Sequence, residues 1–140
     1  MDIKFSCHID DDPEYPWFSW LITGRKKWEG RLNKPGSKWT QLRPCDKIMV
    51  INTRTQESKV FTVVCTKTFV DFREAYDVLG RELVPGLIDS EKTKKLYEKF
   101  YTKEEVTRYG VICVKMIHRV DPSDLRKLLS GEQLETLVSE

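Results

Sequence analysis

Gly24-Arg25-Lys26-Lys27-Trp28-Glu29-Gly30-Arg31 decides the fold of this chain, because it reads as a helix stop followed at once by a strand. Before it, Trp17, Trp20 and Leu21 recur at helical spacing, the mark of an amphipathic helix. Gly24 is suited to the left-handed conformation that ends such a helix. The chain then runs extended from Trp28 to Leu32. Side chains alternate along a strand, so Glu29 and Arg31 share one face while Trp28, Gly30 and Leu32 share the other. Lys26, at the turn, is placed to reach the charged face. Two cations and an anion gathered at one mouth can read a polar ligand or act on it chemically.

Upstream, Lys4 to Ile9 alternates loosely and predicts a first strand; Asp12-Pro13 or Tyr15-Pro16 opens the helix, proline being tolerated in a first turn. Downstream, a polar loop with Asn33, Pro35, Gly36 and Ser37 precedes Trp39 to Pro44, which leads into a strand over Lys47 to Asn52. Thr53 to Glu57 reads as a hairpin turn into a long strand from Lys59 to about Phe69. Asp71 caps a helix through Leu79 that Gly80 ends, Ser90 begins another, and Thr102-Lys103-Glu104-Glu105 is a capping-box pattern for a third. Tyr109-Gly110 breaks that helix before Val111 to Ile117, the strongest buried-strand signal in the chain. A last helix is expected from Asp121-Pro122-Ser123-Asp124 to Leu129 or beyond. Runs of strands with segregated helices indicate an α+β class, arranged as a small mixed or antiparallel barrel with helices inserted before the closing strand.

At 140 residues, 39% hydrophobic and 33% charged, the composition is that of one globular domain, read as residues 1–130 followed by a mobile tail over 131–140. No apolar run approaches the roughly 20 residues of a membrane span, so no membrane association is expected. The N-terminus carries Asp10, Asp11, Asp12 and Glu14 rather than a basic and then apolar leader, which predicts an intracellular protein, cytoplasmic or nuclear. Cys7, Cys45, Cys65 and Cys113 are far apart, form no C-x-x-C pair, and read as reduced thiols buried in or near strands. Cys7-His8 lacks partners at zinc spacing, and His8 and His118 read as ordinary sheet residues, so neither a metal nor a cofactor is expected.

The net charge of +2 is unevenly spread. Arg25, Lys26, Lys27, Arg31, Lys34, Lys38, Arg43 and Lys47 are opposed locally only by Glu29 and Asp46, giving a positive field that favours polyanions. Trp28 and Trp39 lie within this basic stretch, and aromatic faces beside cations suit single-stranded nucleic acid. On strand alternation Trp28 points to the core, whereas Trp39, after a flexible loop, is open to a stacking role. Trp17, Trp20 and Leu21 read as core. Lys92, Lys94, Lys95, Lys99 and Lys103 read as a solvated helix face, with phosphate contact as the alternative.

The pattern G-x-K-x-x-E-x-R formed by Gly24, Lys26, Glu29 and Arg31 resembles the signature of the ASCH domain, a family with a PUA-like β-barrel. Trp39 to Ile48 resembles that family's segment leading into its next strand, with Cys45 in place of the usual glycine before Asp46. Phe72-Arg73-Glu74, Leu83-Val84-Pro85-Gly86, Tyr97 through Phe100-Tyr101 and Tyr109-Gly110-Val111 resemble the helical insertion and last barrel strand of one branch. The resemblance spans Trp17 to Met116 and implies a PUA-like small mixed β-barrel with flanking and inserted helices. It also implies binding of RNA or a nucleotide in a cleft beside the signature, with Lys26, Lys27, Glu29, Arg31, Lys34, Lys38 and Trp39 as binding residues. Some small bacterial members are amidohydrolases acting on acylated nucleosides such as N4-acetylcytidine, which use the signature lysine, a threonine three positions later and a downstream glutamate. Lys26 matches the lysine, Glu29 stands where the threonine would be, and Glu74 and Glu82 are candidates for the glutamate. Lys26 and Glu29 are accordingly the catalytic residues of an enzymatic alternative. A third alternative makes Lys26, Glu29 and Arg31 an ion-pair network that fixes the helix-to-strand turn. A monomer is the default expectation.

Overall fold

The computed structural model describes residues 2–86 and 89–118. The helix expected from Asp121, and the tail over 131–140, lie outside the described residues. In chain order the elements are β1 (Ile3–Ile9), α1 (Trp17–Thr23), β2 (Trp28–Leu32), a 3-10 turn (Lys38–Gln41), β3 (Lys47–Asn52), β4 (Ser58–Phe69), α2 (Phe72–Leu79), a second 3-10 turn (Gly80–Glu82), α3 (Ser90–Tyr97), α4 (Lys103–Tyr109) and β5 (Val111–Ile117). The helix boundaries follow local chemistry. Gly24 takes φ 78° and closes α1, and the Asp71 and Asp89 carboxylates accept from the backbone N–H groups of Glu74 and Lys92 at the starts of α2 and α3. Thr102 and Glu105 form the reciprocal capping box of α4. Of the two proline dipeptides, Tyr15-Pro16 opens α1; Pro16 occupies the N-cap, and Asp11 accepts from the backbone and hydroxyl of Ser19 in place of a capping side chain.

The five strands form one mixed sheet in the order β1-β3-β4-β5-β2. β1 runs parallel to β3, and every other pairing is antiparallel. The sheet curls into a half-barrel, an α+β architecture of the PUA-like kind, with β1 and β2 as its two unjoined edges. Two cores result. Inside the curl Cys7, Ile9, Ile48, Val50, Phe61, Val63, Ile112, Val114 and Met116 pack with Phe18, Leu21 and Ile22 of α1 and with Trp39 and Leu42. Outside it, Val111 and Cys113 pack with Trp28, Phe72, Ala75, Leu83, Leu96 and Tyr97. The apolar run over 111–114 at the start of β5 is thereby explained: its alternate residues serve two different cores, and the first polar residue, Lys115, comes where its side chain lies over the Trp28 ring. Lys26 and Glu29 are the buried charged residues of this frame.

One cysteine departs from the sequence reading. Cys45 is exposed in the turn before β3, with φ 76°, whereas Cys7 and Cys113 are buried. The turn needs a left-handed residue between Pro44 and Asp46, so the thiol is directed outward. Burial pushes the Cys7 thiol up to about 11 and that of Cys113 to about 12, and both stay protonated near neutral pH.

Candidate functional site

The gap between the two free edges of the sheet is a cleft of about 720 Å³. His8, Ile9, Asp10 and Asp12 of β1 and the loop after it form one lip, and Glu29, Gly30 and Arg31 of β2 form the other. Tyr15 and Trp17 close one end, and Tyr97, Lys99, Phe100 and Tyr101, at and beyond the end of α3, make the wall. The register sets this up. Glu29 lies opposite Val114 and Arg31 opposite Ile112, so both turn to the inner face of the curl, while Trp28 and Gly30 turn to the outer core.

Arg31 donates from Nε and a terminal nitrogen to one oxygen of Glu29, at 3.0 and 2.7 Å. Its guanidinium also lies over the Trp39 ring, 4.5 Å from the centroid. Burial opposes the charge on Arg31, yet Glu29 outweighs it and holds the guanidinium above its ordinary value. The other Glu29 oxygen is 3.7 Å from Lys26 Nζ, beyond hydrogen-bond distance, and keeps acceptor capacity.

Lys26 is not at the surface. Its side chain is 0% exposed, and Nζ donates to the Leu83 carbonyl at 2.5 Å and sits 5.0 Å from the Trp17 ring centroid. Burial holds its pKa below the ordinary value, against the opposing pull of Glu29. The amine thus braces β2 against the segment between α2 and α3. It lies beneath the cleft rather than in its lining.

The remaining sequence-predicted residues are dispersed. Trp39 is 5% exposed and belongs to the inner core, with Phe5 edge-on at 5.0 Å and Arg31 over its face, so it offers no ring to the cleft. Lys38 donates to the Ser6 carbonyl and lies over Phe5, and Lys34 lies over Tyr109. Lys27 is tied through its backbone to Glu82 and Met116. Lys27, Lys34, Lys38 and Trp39 therefore do not line the cleft; Trp39 backs it from beneath Arg31. Lys47, further on, donates to Thr62 across the β3–β4 ladder.

Sequence reasoning had not assigned the α3 wall to the site. Tyr97, Phe100 and Tyr101 stand at i, i+3 and i+4, with Lys99 among them, and that spacing was the available signal. Tyr97 stacks on Phe72 at 3.9 Å and Phe72 on Tyr101 at 5.7 Å, both nearly parallel, while Phe100 is 58% exposed. Burial, then the Glu29 charge, keep the Tyr97 phenol well above its ordinary value. Across the cleft the acidic lip is partly neutralised, since Arg54 pairs with Asp10 at 2.8 Å and reaches Asp12 at 3.6 Å. Among the described residues no group of three or more His, Cys, Asp or Glu side chains is placed to hold a metal ion, and no helix is long and apolar enough to cross a membrane.

No protein-family model matches the sequence, and no curated protein matches it. Solved structures do. The hypothetical protein PH0355 is 24% identical with a TM-score of 0.69, over 82% of this chain and 98% of its own. PF0455 from Pyrococcus furiosus is 27% identical with a TM-score of 0.60, over 81% of this chain and 96% of its own. The ASCH protein of Zymomonas mobilis is 17% identical with a TM-score of 0.53, over 97% of this chain and 95% of its own. The ASCH resemblance read from Gly24, Lys26, Glu29 and Arg31 is matched at the level of the fold.

Proposed function

We propose that this ASCH-fold protein binds RNA by taking an unpaired base into the cleft between β1 and β2, where Glu29 and Arg31 meet the base edge. The observation that carries this reading is a carboxylate and a guanidinium side by side on one lip of a cleft lined with aromatic rings. Glu29 supplies an acceptor for a base amino or imino group, and Arg31 supplies donors for a ring nitrogen or carbonyl. The neighbouring rings supply the flat apolar surface on which an unstacked base rests.

Three features support a recognition role over the hydrolase alternative. Lys26, which that alternative needs as its reactive amine, is covered by Trp17 and committed to the Leu83 carbonyl. Its lowered pKa alone does not bring it to a substrate. Glu29 is committed through one oxygen to Arg31. Glu74 and Glu82, the downstream candidates, are exposed, and neither lines the cleft.

The test is binding of fluorescein-labelled single-stranded RNA, followed by anisotropy, to the wild type, Arg31→Ala and Glu29→Gln, with a thermal melt of each to verify folding. Losing a charge-assisted hydrogen bond costs about 1.5–3 kcal/mol, so each variant should bind roughly 10- to 100-fold more weakly. Unchanged affinity in two folded variants would overturn the assignment.

A further inference from the structure

We infer that the bound strand does not end in the cleft but crosses α3 into a second, smaller pocket, so that the ligand is single-stranded RNA of at least two nucleotides rather than a free nucleoside. This rests on the reading of the cleft as a base site. The smaller pocket, about 270 Å³, opens between α2, α3 and α4, and Phe72, Lys94, Lys103 and Val106 line it. It shares a wall with the cleft, because Tyr97 and Tyr101 line both. The rings of Tyr97, Phe72 and Tyr101 form that wall as a nearly parallel stack.

Charge and exposure fix the direction in which a strand leaves the cleft. Asp10, Asp12 and Glu14 stand on the β1 side, where phosphates are repelled, even though Arg54 pairs with two of them. On the α3 side Lys99 lines the cleft, and Lys94 and Lys103 line the smaller pocket. None of the three pairs with a carboxylate among the described residues, and Lys99 has only the face of Tyr15, 5.8 Å away. Glu98 and Asp71 also border the smaller pocket, so on the α3 side three lysines face two carboxylates, whereas on the β1 side three carboxylates face one arginine. Phe100, a large apolar ring left 58% exposed, lines the cleft and meets Tyr97, a residue of the shared wall, edge-on at 6.4 Å. An exposed ring beside the shared wall, with unpaired cations in both cavities, is the arrangement that successive bases and their phosphates fit. Lys99 serves the phosphate nearest the first base, and Lys94 and Lys103 serve the next.

The experiment compares a 5′-ribonucleoside monophosphate with a tetraribonucleotide, each titrated at two salt concentrations. The proteins are the wild type, Lys94→Ala/Lys103→Ala, Phe100→Ala and Lys99→Ala, all altered at solvent-accessible positions. The tetranucleotide should bind the wild type at least tenfold more tightly than the monophosphate. The double variant should lose most of that advantage while monophosphate affinity is unchanged, and its salt slope should fall by about 0.7 for each phosphate that a lysine no longer neutralises. Phe100→Ala should weaken the tetranucleotide, and Lys99→Ala should weaken both ligands. Equal wild-type affinity for the two ligands, or a double variant indistinguishable from the wild type, overturns the second subsite while leaving the base site standing. Failure of the wild type to bind either ligand removes the base site, and the second subsite with it. Tight capture of a protein by the α3 face, with no difference between the two ribonucleotide ligands, also overturns it.

Discussion

Replacing Lys26 separates its two contributions, its stem and its charge. In Lys26→Ala three methylenes leave a fully buried site, worth about 2–2.5 kcal/mol at ~0.8 kcal/mol each. The Leu83 carbonyl loses its 2.5 Å partner. A buried acceptor left unpaired costs a further ~1–3 kcal/mol, partly offset because an ammonium no longer has to be desolvated. Glu29 is not orphaned, since Arg31 remains 2.7 Å away. The expected loss is therefore about 3–4 kcal/mol for Lys26→Ala and about 1–2 kcal/mol for Lys26→Met, which keeps the apolar stem. Urea unfolding at pH 7 measures both, and the melting temperature should fall by roughly 3–5 °C per kcal/mol for a domain of this size. The reasoning fails if Lys26→Ala unfolds within about 1 kcal/mol of the wild type, or if Lys26→Met is as damaging as Lys26→Ala. The pH dependence is a second check with a defined sign. Burial lowers the Lys26 pKa in the fold below the ordinary 10.5, so between those two values the unfolded chain binds more protons. Wild-type stability relative to Lys26→Met should rise with pH through that interval and level off above it. A flat profile up to pH 10.5 followed by a fall above it would show that the pull of Glu29, not burial, dominates.

Two further substitutions probe the frame of the site. A Cβ at Gly30 would lie 3.1 Å from Phe72 Cε1, 3.4 Å from Tyr97 Oη and 3.6 Å from Leu83 Cδ1. Gly30→Ala should cost about 1–3 kcal/mol in urea unfolding and weaken RNA binding by displacing the aromatic wall; a neutral effect on stability would mean that the wall yields freely. Cys45 holds φ 76° in an exposed turn, so Cys45→Gly should stabilise the protein by up to about 1 kcal/mol, the relief of left-handed strain being reduced by the greater entropy of unfolded glycine. A lower melting temperature in Cys45→Gly would refute that account.

Helix boundaries and strands were legible because their causes are local. Asp71, Thr102 with Glu105, and Gly24 each act within one turn of helix, and alternation alone puts Glu29 and Arg31 on one face. What was not legible depends on partners distant in sequence. Lys26 looks like a surface cation at a turn, but its acceptor is a carbonyl 57 residues further on. Lys34, Lys38 and Trp39 follow the signature closely in sequence, yet their contacts are with Tyr109, Ser6 and the underside of Arg31, and none of them lines the cleft. Conversely, Tyr97, Lys99, Phe100 and Tyr101 are remote in sequence and form the wall, because α3 returns over the β2 edge.

The strand order has a consequence for how the site comes into being. β1 and β2, whose edges form the two lips, are the first strands in the chain, yet β2 has no sheet partner until β5, the last described strand, is in place. Pairings between distant segments form slowly, and unpaired edges are prone to misassociate while they wait. During synthesis the stretch from Gly24 to Arg31 leaves the ribosome long before Val111 to Ile117, the strand that fixes its register. A growing chain therefore carries the residues of the site well before it has the site.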